Sequence, residues 1–209
     1  MQRLFLVDDH PIFREGLAKF ILETADLTVC GMAESAPKAM ELLSDCHPHL
    51  VLLDLKLRDS SGLSLLRSIL DRWPHQRVLV VSMFDELQYA TRLFKLGAAG
   101  YVMKDAEPEV LLTAIRTVLR GDKYASDRVK LQALDAPGLR LGPEQLSDRE
   151  FEMLHLIGEG LSVDEIAGTL NLSPKTVQNH IRSAQEKMGS PNRQAFYQMA
   201  RDWAGSPGR

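Results

Sequence analysis

The segment FLVDDH, residues 5–10, is an apolar run that stops at two adjacent carboxylates, Asp8 and Asp9. A dense apolar run of this kind is typical of a strand that is covered on both faces. Two like charges at the end of such a strand repel each other and resist removal from water. This costly arrangement predicts a compensating partner for the two carboxylates, and the rest of the chain indicates its nature.

Residues 1–121 alternate apolar runs with amphipathic stretches, which predicts five β–α units. The apolar runs are RLFLV, LTVCGMA, LVLLD, RVLVVS and GYVM, and four of them are nearly continuous rather than alternating. The first amphipathic stretch, PIFREGLAKFILE, places Ile12, Leu17, Phe20 and Ile21 on one side. We therefore expect a doubly wound α/β fold, with a five-stranded parallel sheet in the flavodoxin-like order 2-1-3-4-5 and right-handed crossovers.

The alternation stops after residue 121. Residues 122–143 have weak periodicity and several glycines and prolines near their end, which is typical of a linker with room for a short helix. Residues 144–209 show helical periodicity alone. We therefore predict two domains: an α/β domain over residues 1–121 and a small all-α domain over residues 144–209.

Composition limits the class of protein. The 209 residues are 44% apolar and 25% charged, with a net charge of −3, so any surface for a polyanion must be local. No stretch resembles a secretory signal or a membrane span, which predicts a protein with no membrane association. Cys30 and Cys46 form no metal-binding or disulfide pattern and are expected to be buried, reduced thiols of a cytoplasmic protein.

Five polar side chains fall at or just beyond the carboxyl ends of four predicted strands. Asp8 and Asp9 follow the first strand, Asp54 the third, and Lys104 the fifth, while Ser82 ends the fourth. These strands are contiguous in the expected order, so the side chains share the edge where such sheets bind ligands. Three carboxylates without nitrogen or sulfur ligands suit Mg²⁺, which would remove their mutual repulsion.

The same residues suggest phosphoryl chemistry. Lys104 and Ser82 have the groups to hold phosphoryl oxygens, and Asp54 could attack phosphorus to form an aspartyl-phosphate. Each residue alone has an ordinary explanation, such as a helix cap or a solvated surface lysine. Their combination, in order along the chain, favours a shared site.

Residues 1–121 resemble the receiver domain of two-component response regulators through the motifs VDDH, LLDLKL, VVSMFDE and GAAGYVMKD. The resemblance implies that Asp54 is the phosphoacceptor and that Asp8 and Asp9 are the acidic pair for Mg²⁺, with Asp9 bound directly and Asp8 through water. It also implies four further roles: the backbone carbonyl of Lys56 as a metal ligand, Ser82 as the switch hydroxyl, Tyr101 as the switch aromatic, and Lys104 as the contact to the phosphoryl group.

Helix-start signals are dense in residues 144–209. Serines at three positions predict N-caps: Ser147, Ser162 and Ser173. The first two are followed three residues later by glutamate, as in a capping box, and the third by Pro174. These signals predict a short helix over residues 163–170, a turn, and a longer helix from Pro174. A helix-turn-helix of this kind places its second helix in the DNA major groove, although it can also be a plain packing motif or a protein-binding module.

The local charge distribution supports DNA binding. From Asn171 to Arg193 there are four cations against one acid, Glu186: Lys175, Arg182, Lys187 and Arg193. Residues from 146 to about 200 also resemble the LuxR-type DNA-binding domain of NarL/FixJ response regulators, through LSDREFEMLHLI, GLSVDEIAGTLNLSPKTVQNHI and KMGSPNR. The resemblance places DNA contacts on five residues: Lys175, Thr176, Gln178, Asn179 and Arg182. Because Gln and Asn pair with adenine, we expect Gln178 and Asn179 to set the base preference.

The leading hypothesis is a transcription regulator, activated by Mg²⁺-dependent phosphorylation of Asp54 from a sensor histidine kinase. It would bind double-stranded DNA as a homodimer and would not be a turnover enzyme, apart from its own phosphorylation. A second hypothesis is a phosphorylation-independent regulator whose receiver serves for dimerisation or docking. A third is a Mg²⁺-dependent phosphohydrolase, which would usually need an acid/base residue where Lys56 stands.

Overall fold

The computed structural model describes residues 1–57, 60–134 and 143–204. These residues form two compact units, one that ends with the described residues at Leu134 and one that begins at Pro143. Within the described residues, no helix is both long enough and apolar enough to cross a membrane.

The strands of the first unit are β1 (Gln2–Val7), β2 (Leu27–Ala33), β3 (Leu50–Leu53), the two-residue strands β4 (Lys56–Leu57) and β5 (Ser60–Ser61), β6 (Val78–Ser82) and β7 (Gly100–Met103). Five of them form a parallel sheet in the order β2-β1-β3-β6-β7, and β4 pairs with β5 in a separate antiparallel ladder. Counted along the sheet strands alone, the order is 2-1-3-4-5, which confirms the predicted topology.

The helices of this unit are α1 (Pro11–Leu22), α2 (Ala36–Cys46), α3 (Gly62–Arg72), α4 (Glu86–Leu96), α5 (Pro108–Arg120) and α6 (Asp127–Leu134). A core cluster joins α1 and α5 to apolar residues of the sheet, including Leu6, Leu52 and Val81. The inner strands β3 and β6 are buried along their whole length because both of their faces are covered. Gly97 and Gly121 end α4 and α5 with φ values of 102° and 100°, as their positions just past a helix predict.

Two expectations about burial are wrong. Ile12 is 90% exposed, because the five-residue step from Ile12 to Leu17 turns an α-helix by about 140° and places the two side chains on different sides of α1. Cys30 and Cys46 are free thiols, as expected, but both are half-buried rather than buried. Cys46 Sγ donates to the Cys30 carbonyl oxygen at 3.0 Å, and burial, with the contact to Cys46, raises the pKa of Cys30 to about 12.

The first part of the predicted linker packs with the α/β unit. The backbone N–H of Tyr124 donates to the Ala99 carbonyl at 3.0 Å, and that of Tyr101 donates to the Tyr124 carbonyl at 3.3 Å. Helix α6 then contacts α4, with Arg128 Nη1 at 3.6 Å from Glu86 Oε1. The domain limits at residues 121 and 144 stay predictions, and residues 135–142 of the linker lie outside the described residues.

The second unit is helical, with a 3-10 turn at Pro143–Gln145 followed by α7 (Asp148–Gly158), α8 (Val163–Leu170), α9 (Pro174–Lys187) and α10 (Arg193–Ala204). The predicted capping boxes at Ser147 and Ser162 and the N-cap at Ser173 are confirmed. Asn171 turns the chain between α8 and α9 with a φ of 54°. The helix-turn-helix therefore has the predicted helix bounds, because its start and stop signals are local.

Gly62 begins α3 and lies against the segment that follows β3. A Cβ atom at this position would collide with the carbonyl oxygen of Asp54 and with Cα of Leu55, whose own carbonyl accepts a hydrogen bond from Gly62 N at 2.9 Å. No flexible side chain can relieve a collision with backbone atoms, so this glycine fixes how closely α3 approaches Asp54.

We expect Gly62→Ala to lower the free energy of unfolding of the first unit by about 1–3 kcal/mol, the usual cost of overpacking. Gly16→Ala is the matched control, since it lies within α1 with nothing within 4 Å of the added Cβ and should gain about 0.5–1 kcal/mol of helix propensity. Urea unfolding followed by circular dichroism compares the two variants. A Gly62→Ala protein as stable as Gly16→Ala would contradict the proposed steric role.

Candidate functional site

The sheet register brings the predicted side chains to one edge. Val7 pairs with Leu53, Leu53 with Val80, and Ser82 with Met103, so β1, β3, β6 and β7 end side by side. Of the five predicted residues, Ser82 is the last residue of β6. The other four follow directly after the ends of β1, β3 and β7: Asp8, Asp9, Asp54 and Lys104. Residues from four separate parts of the chain therefore lie together at one edge of the sheet.

Lys104 is the cation between two buried carboxylates. Its Nζ lies 2.6 Å from Asp8 Oδ2 and 2.7 Å from Asp54 Oδ2, and the side chains of all three residues are at least 93% buried. The Nζ also lies 4.5 Å from the centre of the Phe13 ring, a favourable cation–π contact. Lys104 therefore offsets part of the repulsion between Asp8 and Asp54.

Burial dominates the ionisation of Asp54. Loss of solvent raises the pKa of Asp54 above its ordinary value, and the charge of Asp8 raises it further. Lys104 lowers the pKa through its hydrogen bond and its charge, and the backbone N–H of Lys56, which donates to Asp54 Oδ1 at 3.2 Å, lowers it too. The carboxylate is thus held in contact with two donors while it remains poorly solvated, which favours reaction with or binding to a charged partner.

The oxygen atoms at this edge fit a divalent cation. Ligand atoms from Asp8, Asp9, His10 and Asp54 all lie within 4.8 Å of one another. Carboxylate oxygens are the ligands that a hard cation such as Mg²⁺ prefers. Lys56 follows Asp54 by two residues and touches it through its backbone N–H, while the role of its carbonyl as a ligand stays a prediction.

Ser82 and Tyr101 occupy buried positions near this edge. Ser82 Oγ makes no hydrogen bond to any residue that the structure describes, an uncommon state for a buried hydroxyl. The Tyr101 side chain is buried, and its hydroxyl donates to the Phe84 carbonyl at 2.6 Å. Burial raises the pKa of Tyr101, so the phenol stays protonated and keeps this hydrogen bond. The ring is therefore tied to the segment that directly follows Ser82.

Two contacts at this site come from the N-cap residue and the first turn of α1, and the sequence analysis did not find them. His10 Nδ1 lies 2.8 Å from Asp9 Oδ1, and the Arg14 guanidinium donates to the Asp8 carbonyl at 2.5 Å. The signal was available in the spacing, because the helix begins immediately after the acidic pair and its first turn must lie over that pair. The residue types alone did not show which side chains of this segment would contact the acidic pair.

The predicted DNA-contacting residues lie on α9. Four of them recur at helical spacing and are exposed along one face: Lys175, Gln178, Asn179 and Arg182. Thr176 differs, since it is half-buried and its Oγ1 lies 2.8 Å from Ser173 Oγ at the helix start. On the opposite side, Val177 and Ile181 are buried in the core. The outward face of α9 is thus polar and offers amide and cationic groups together.

Lys187 has a different role from the one its charge suggested. Its Nζ lies 2.7 and 2.9 Å from the two carboxylate oxygens of Glu150 on α7, a residue that is 4% exposed. Burial by itself would raise the pKa of Glu150, but hydrogen bonds from Lys187, Ser183 and Ser147 outweigh it and lower the pKa to about 2. Lys187, which the sequence analysis counted among the cations of the DNA-binding region, therefore links α9 to α7 through an ion pair.

Comparison with known proteins agrees with both parts of the chain. Residues 4–116 match the response regulator receiver domain, and residues 144–200 match the LuxR family of bacterial regulatory proteins. The chain belongs to the response regulators. It is a two-component response regulator that joins a receiver domain to a LuxR-type DNA-binding domain, as the sequence motifs predicted.

Relatives of this response regulator match along most of its length. The transcriptional regulatory protein MctR of Rhizobium johnstonii is 35% identical over 188 residues, which cover 90% of this chain and 87% of that protein. The nitrate/nitrite response regulator protein NarP of Escherichia coli is 33% identical over 92% of this chain and 91% of its own length. A structure of RcsB from Salmonella enterica serovar Typhimurium, bound to a promoter in the presence of the phosphomimetic BeF₃⁻, has a TM-score of 0.74 and 26% identity over 95% of this chain and 98% of that one.

The Glu150 contacts give the second unit of this response regulator a defined dependence on pH. The folded-state pKa of about 2 lies below the ordinary value of 4.5, so the carboxylate stabilises the fold above about pH 4.5, and this stabilisation is lost as the pH falls toward 2. At pH 7 we expect Glu150→Gln to cost about 2 kcal/mol, since it removes charge-assisted hydrogen bonds, and to flatten the acid-induced loss.

Urea unfolding followed by Trp203 fluorescence measures this effect, in a Trp73→Phe background that leaves Trp203 as the only tryptophan. Glu186→Gln is the control, because its partner Arg182 is exposed and such pairs contribute about 0–1 kcal/mol. Equal losses in the two variants, or an unchanged acid dependence in Glu150→Gln, would contradict the proposed role of Glu150.

Proposed function

We propose that this response regulator acts in the cytoplasm as a phosphorylation-controlled transcription factor. A sensor histidine kinase would supply the phosphoryl group to Asp54 in a Mg²⁺-dependent reaction, and the phosphorylated protein would bind double-stranded DNA as a homodimer. The observation that carries this proposal is the cluster of three carboxylates at one sheet edge, with Lys104 in contact with Asp8 and Asp54.

The reacting group is an oxygen of Asp54. It would form a bond to phosphorus as the bond between phosphorus and the donor nitrogen breaks, so no oxidant or reductant is needed. Asp8, Asp9, Asp54 and the Lys56 carbonyl would hold Mg²⁺, which when bound would neutralise charge on the phosphoryl oxygens. Lys104 Nζ already lies 2.7 Å from Asp54 Oδ2, so a small shift would bring it to a phosphoryl oxygen of the product.

Ser82 and Tyr101 would connect the reaction to the rest of the domain. The Ser82 hydroxyl is buried and has no hydrogen-bond partner among the described residues, so it is ready to donate to a phosphoryl oxygen. Its movement would shift the segment that contains Phe84, whose carbonyl accepts the Tyr101 hydroxyl. Tyr101 would then change position and bias the surface formed by α4, β7 and α5.

DNA recognition would use the outward face of α9. Gln178 and Asn179 would read base edges in the major groove, while Lys175 and Arg182 would contact phosphates or guanine and Thr176 would position the helix start. The homodimer is supported by relatives, since one solved structure is of two RcsB dimers bound to two parallel DNAs. A dimer would place two copies of α9 on successive half-sites.

The first prediction from this proposal concerns phosphorylation. After incubation with a small-molecule phosphodonor, we expect intact-mass spectrometry to show one added phosphoryl group that requires Mg²⁺ and is absent in Asp54→Asn. Asp45→Asn is the control, because Asp45 is exposed in the last turn of α2, the end that leads into the start of β3, whereas Asp54 follows the end of β3. Labelling of Asp54→Asn would contradict the assignment of Asp54 as the phosphoacceptor, whereas no labelling of the folded wild-type protein by a phosphodonor or a kinase would favour the phosphorylation-independent hypothesis.

The second prediction concerns DNA. Replacement of both Gln178 and Asn179 by alanine should reduce sequence discrimination by about 1–3 kcal/mol for each lost bidentate contact, with little change in non-specific binding. Lys175→Ala should instead weaken binding to all sequences and reduce the slope of log affinity against log salt concentration by about 1. Lys130→Ala, an exposed residue of α6, is the control for charge. Unchanged sequence preference in the double variant would refute the assignment.

A further inference from the structure

His10 directly follows the acidic pair, and its ring nitrogen faces three carboxylates. His10 Nδ1 lies 2.8 Å from Asp9 Oδ1, 3.3 Å from Asp8 Oδ1 and 3.9 Å from Asp54 Oδ2. Its side chain is 57% exposed, whereas those of the carboxylates are at least 90% buried. The imidazole therefore stands at the mouth of the site, on the path between solvent and the buried oxygens.

The local sequence holds the histidine in this position. His10 is the N-cap residue of α1, but its side chain makes no capping hydrogen bond. Its backbone N–H donates to Asp8 Oδ1 at 2.8 Å, and Pro11 begins the helix. A proline disfavours helical backbone in the residue before it, which agrees with the extended φ of −91° and ψ of 103° at His10. Both the backbone N–H and the imidazole ring of His10 therefore contact the acidic pair.

The side chains at this edge form a mixed donor set. Asp8, Asp9 and Asp54 offer oxygen atoms, and His10 offers a nitrogen atom within the same 4.8 Å group. The buried Ser82 hydroxyl at the same edge, which has no partner among the described residues, independently indicates that a ligand completes the site. Mg²⁺ binds oxygen almost exclusively, whereas imidazole suits Mn²⁺, Co²⁺ and Zn²⁺ progressively better.

We propose that His10 is a metal ligand that determines specificity: its Nδ1 binds divalent transition metals at this site and raises their affinity relative to that of Mg²⁺. The proposal rests on the proposed function, because it concerns the same site that holds Mg²⁺ for phosphorylation. The protein would then bind Mn²⁺ or Co²⁺ at concentrations far below those at which it binds Mg²⁺, and the metal available would influence how readily Asp54 is phosphorylated.

A positioning role is the alternative that the experiment must separate. His10 could act only through its short contact to Asp9, holding that carboxylate in place for any metal. His10→Asn keeps an amide donor close to the position of Nδ1 but removes the imidazole. A ligand role predicts that this variant loses the preference for transition metals, whereas a positioning role predicts that it behaves like the wild type and that only His10→Ala is affected.

The experiment uses the full chain at constant pH, with Mn²⁺, Co²⁺ and Mg²⁺ each titrated by calorimetry into the wild type, His10→Asn and His10→Ala. His75→Asn is the matched control, since His75 is exposed and lies in the connection between α3 and β6. In the proteins loaded with Mn²⁺, pulsed electron paramagnetic resonance detects hyperfine coupling to a ligand ¹⁴N. Circular dichroism establishes that each variant is folded.

We expect the wild type and His75→Asn to show the nitrogen coupling and both His10 variants to lose it. The affinity for Mn²⁺ and Co²⁺ should fall about tenfold or more in these variants, the scale on which groups around a metal site act, while the affinity for Mg²⁺ stays within about twofold. Equal metal ratios in the wild type and His10→Asn, or no nitrogen coupling in the wild type, would overturn the inference. If none of the three metals bound any of the proteins, the proposed Mg²⁺ site would fail as well, so the two failures are distinguishable.

Discussion

The contact of Lys104 with Asp8 and Asp54 is the interaction on which the receiver site depends. It places one buried cation at 2.6 and 2.7 Å from two carboxylates that would otherwise repel each other at the end of apolar strands. Removal of one member of a buried ion pair is strongly destabilising, because the remaining charge has neither water nor a partner. The cation does not neutralise the whole cluster, however, since Asp9 adds a third carboxylate. This excess of negative charge fits a divalent cation, while Lys104 offsets part of the repulsion between the carboxylates.

The segment after β6 joins this chemistry to the surface of the domain. The backbone carbonyl of Ser82 accepts a hydrogen bond from the backbone N–H of Lys104 at 2.8 Å, and the backbone carbonyl of Phe84 accepts one from the Tyr101 hydroxyl at 2.6 Å. Asp85 then caps α4 by accepting from Leu87 N at 2.8 Å. These contacts lie within four consecutive residues, so a displacement at Ser82 has to be taken up by Tyr101 or by the start of α4. In the proposed mechanism, this segment would transmit the change because packed contacts switch between discrete arrangements rather than deform gradually.

The charged side chains of the helical unit occupy two kinds of position: some pair with buried groups, and others are exposed on α9. Lys187 on α9 is partly exposed, but its ammonium group pairs with the buried Glu150, which in turn completes the capping box of α7 through Ser147. Lys175, by contrast, is exposed near the start of the same helix, as are the amide side chains of Gln178 and Asn179. The contact between Lys187 and the buried Glu150 orients α9 against α7, which gives the exposed side chains of α9 a defined geometry for the proposed contacts with DNA.

The sequence by itself determined the fold class, the strand order, the helix bounds of the helix-turn-helix and the grouping of Asp54 with Lys104, since periodicity, capping residues and strand ends are local signals. Tertiary structure alone decided the packing of α6 on α4, the pairing of Lys187 with Glu150 and the approach of His10 to Asp9. Each of these depends on how far one element reaches over another and on which of several possible partners a long or half-exposed side chain meets. Such distances arise from packing between segments remote in sequence, and the order of residues along the chain does not specify them one by one.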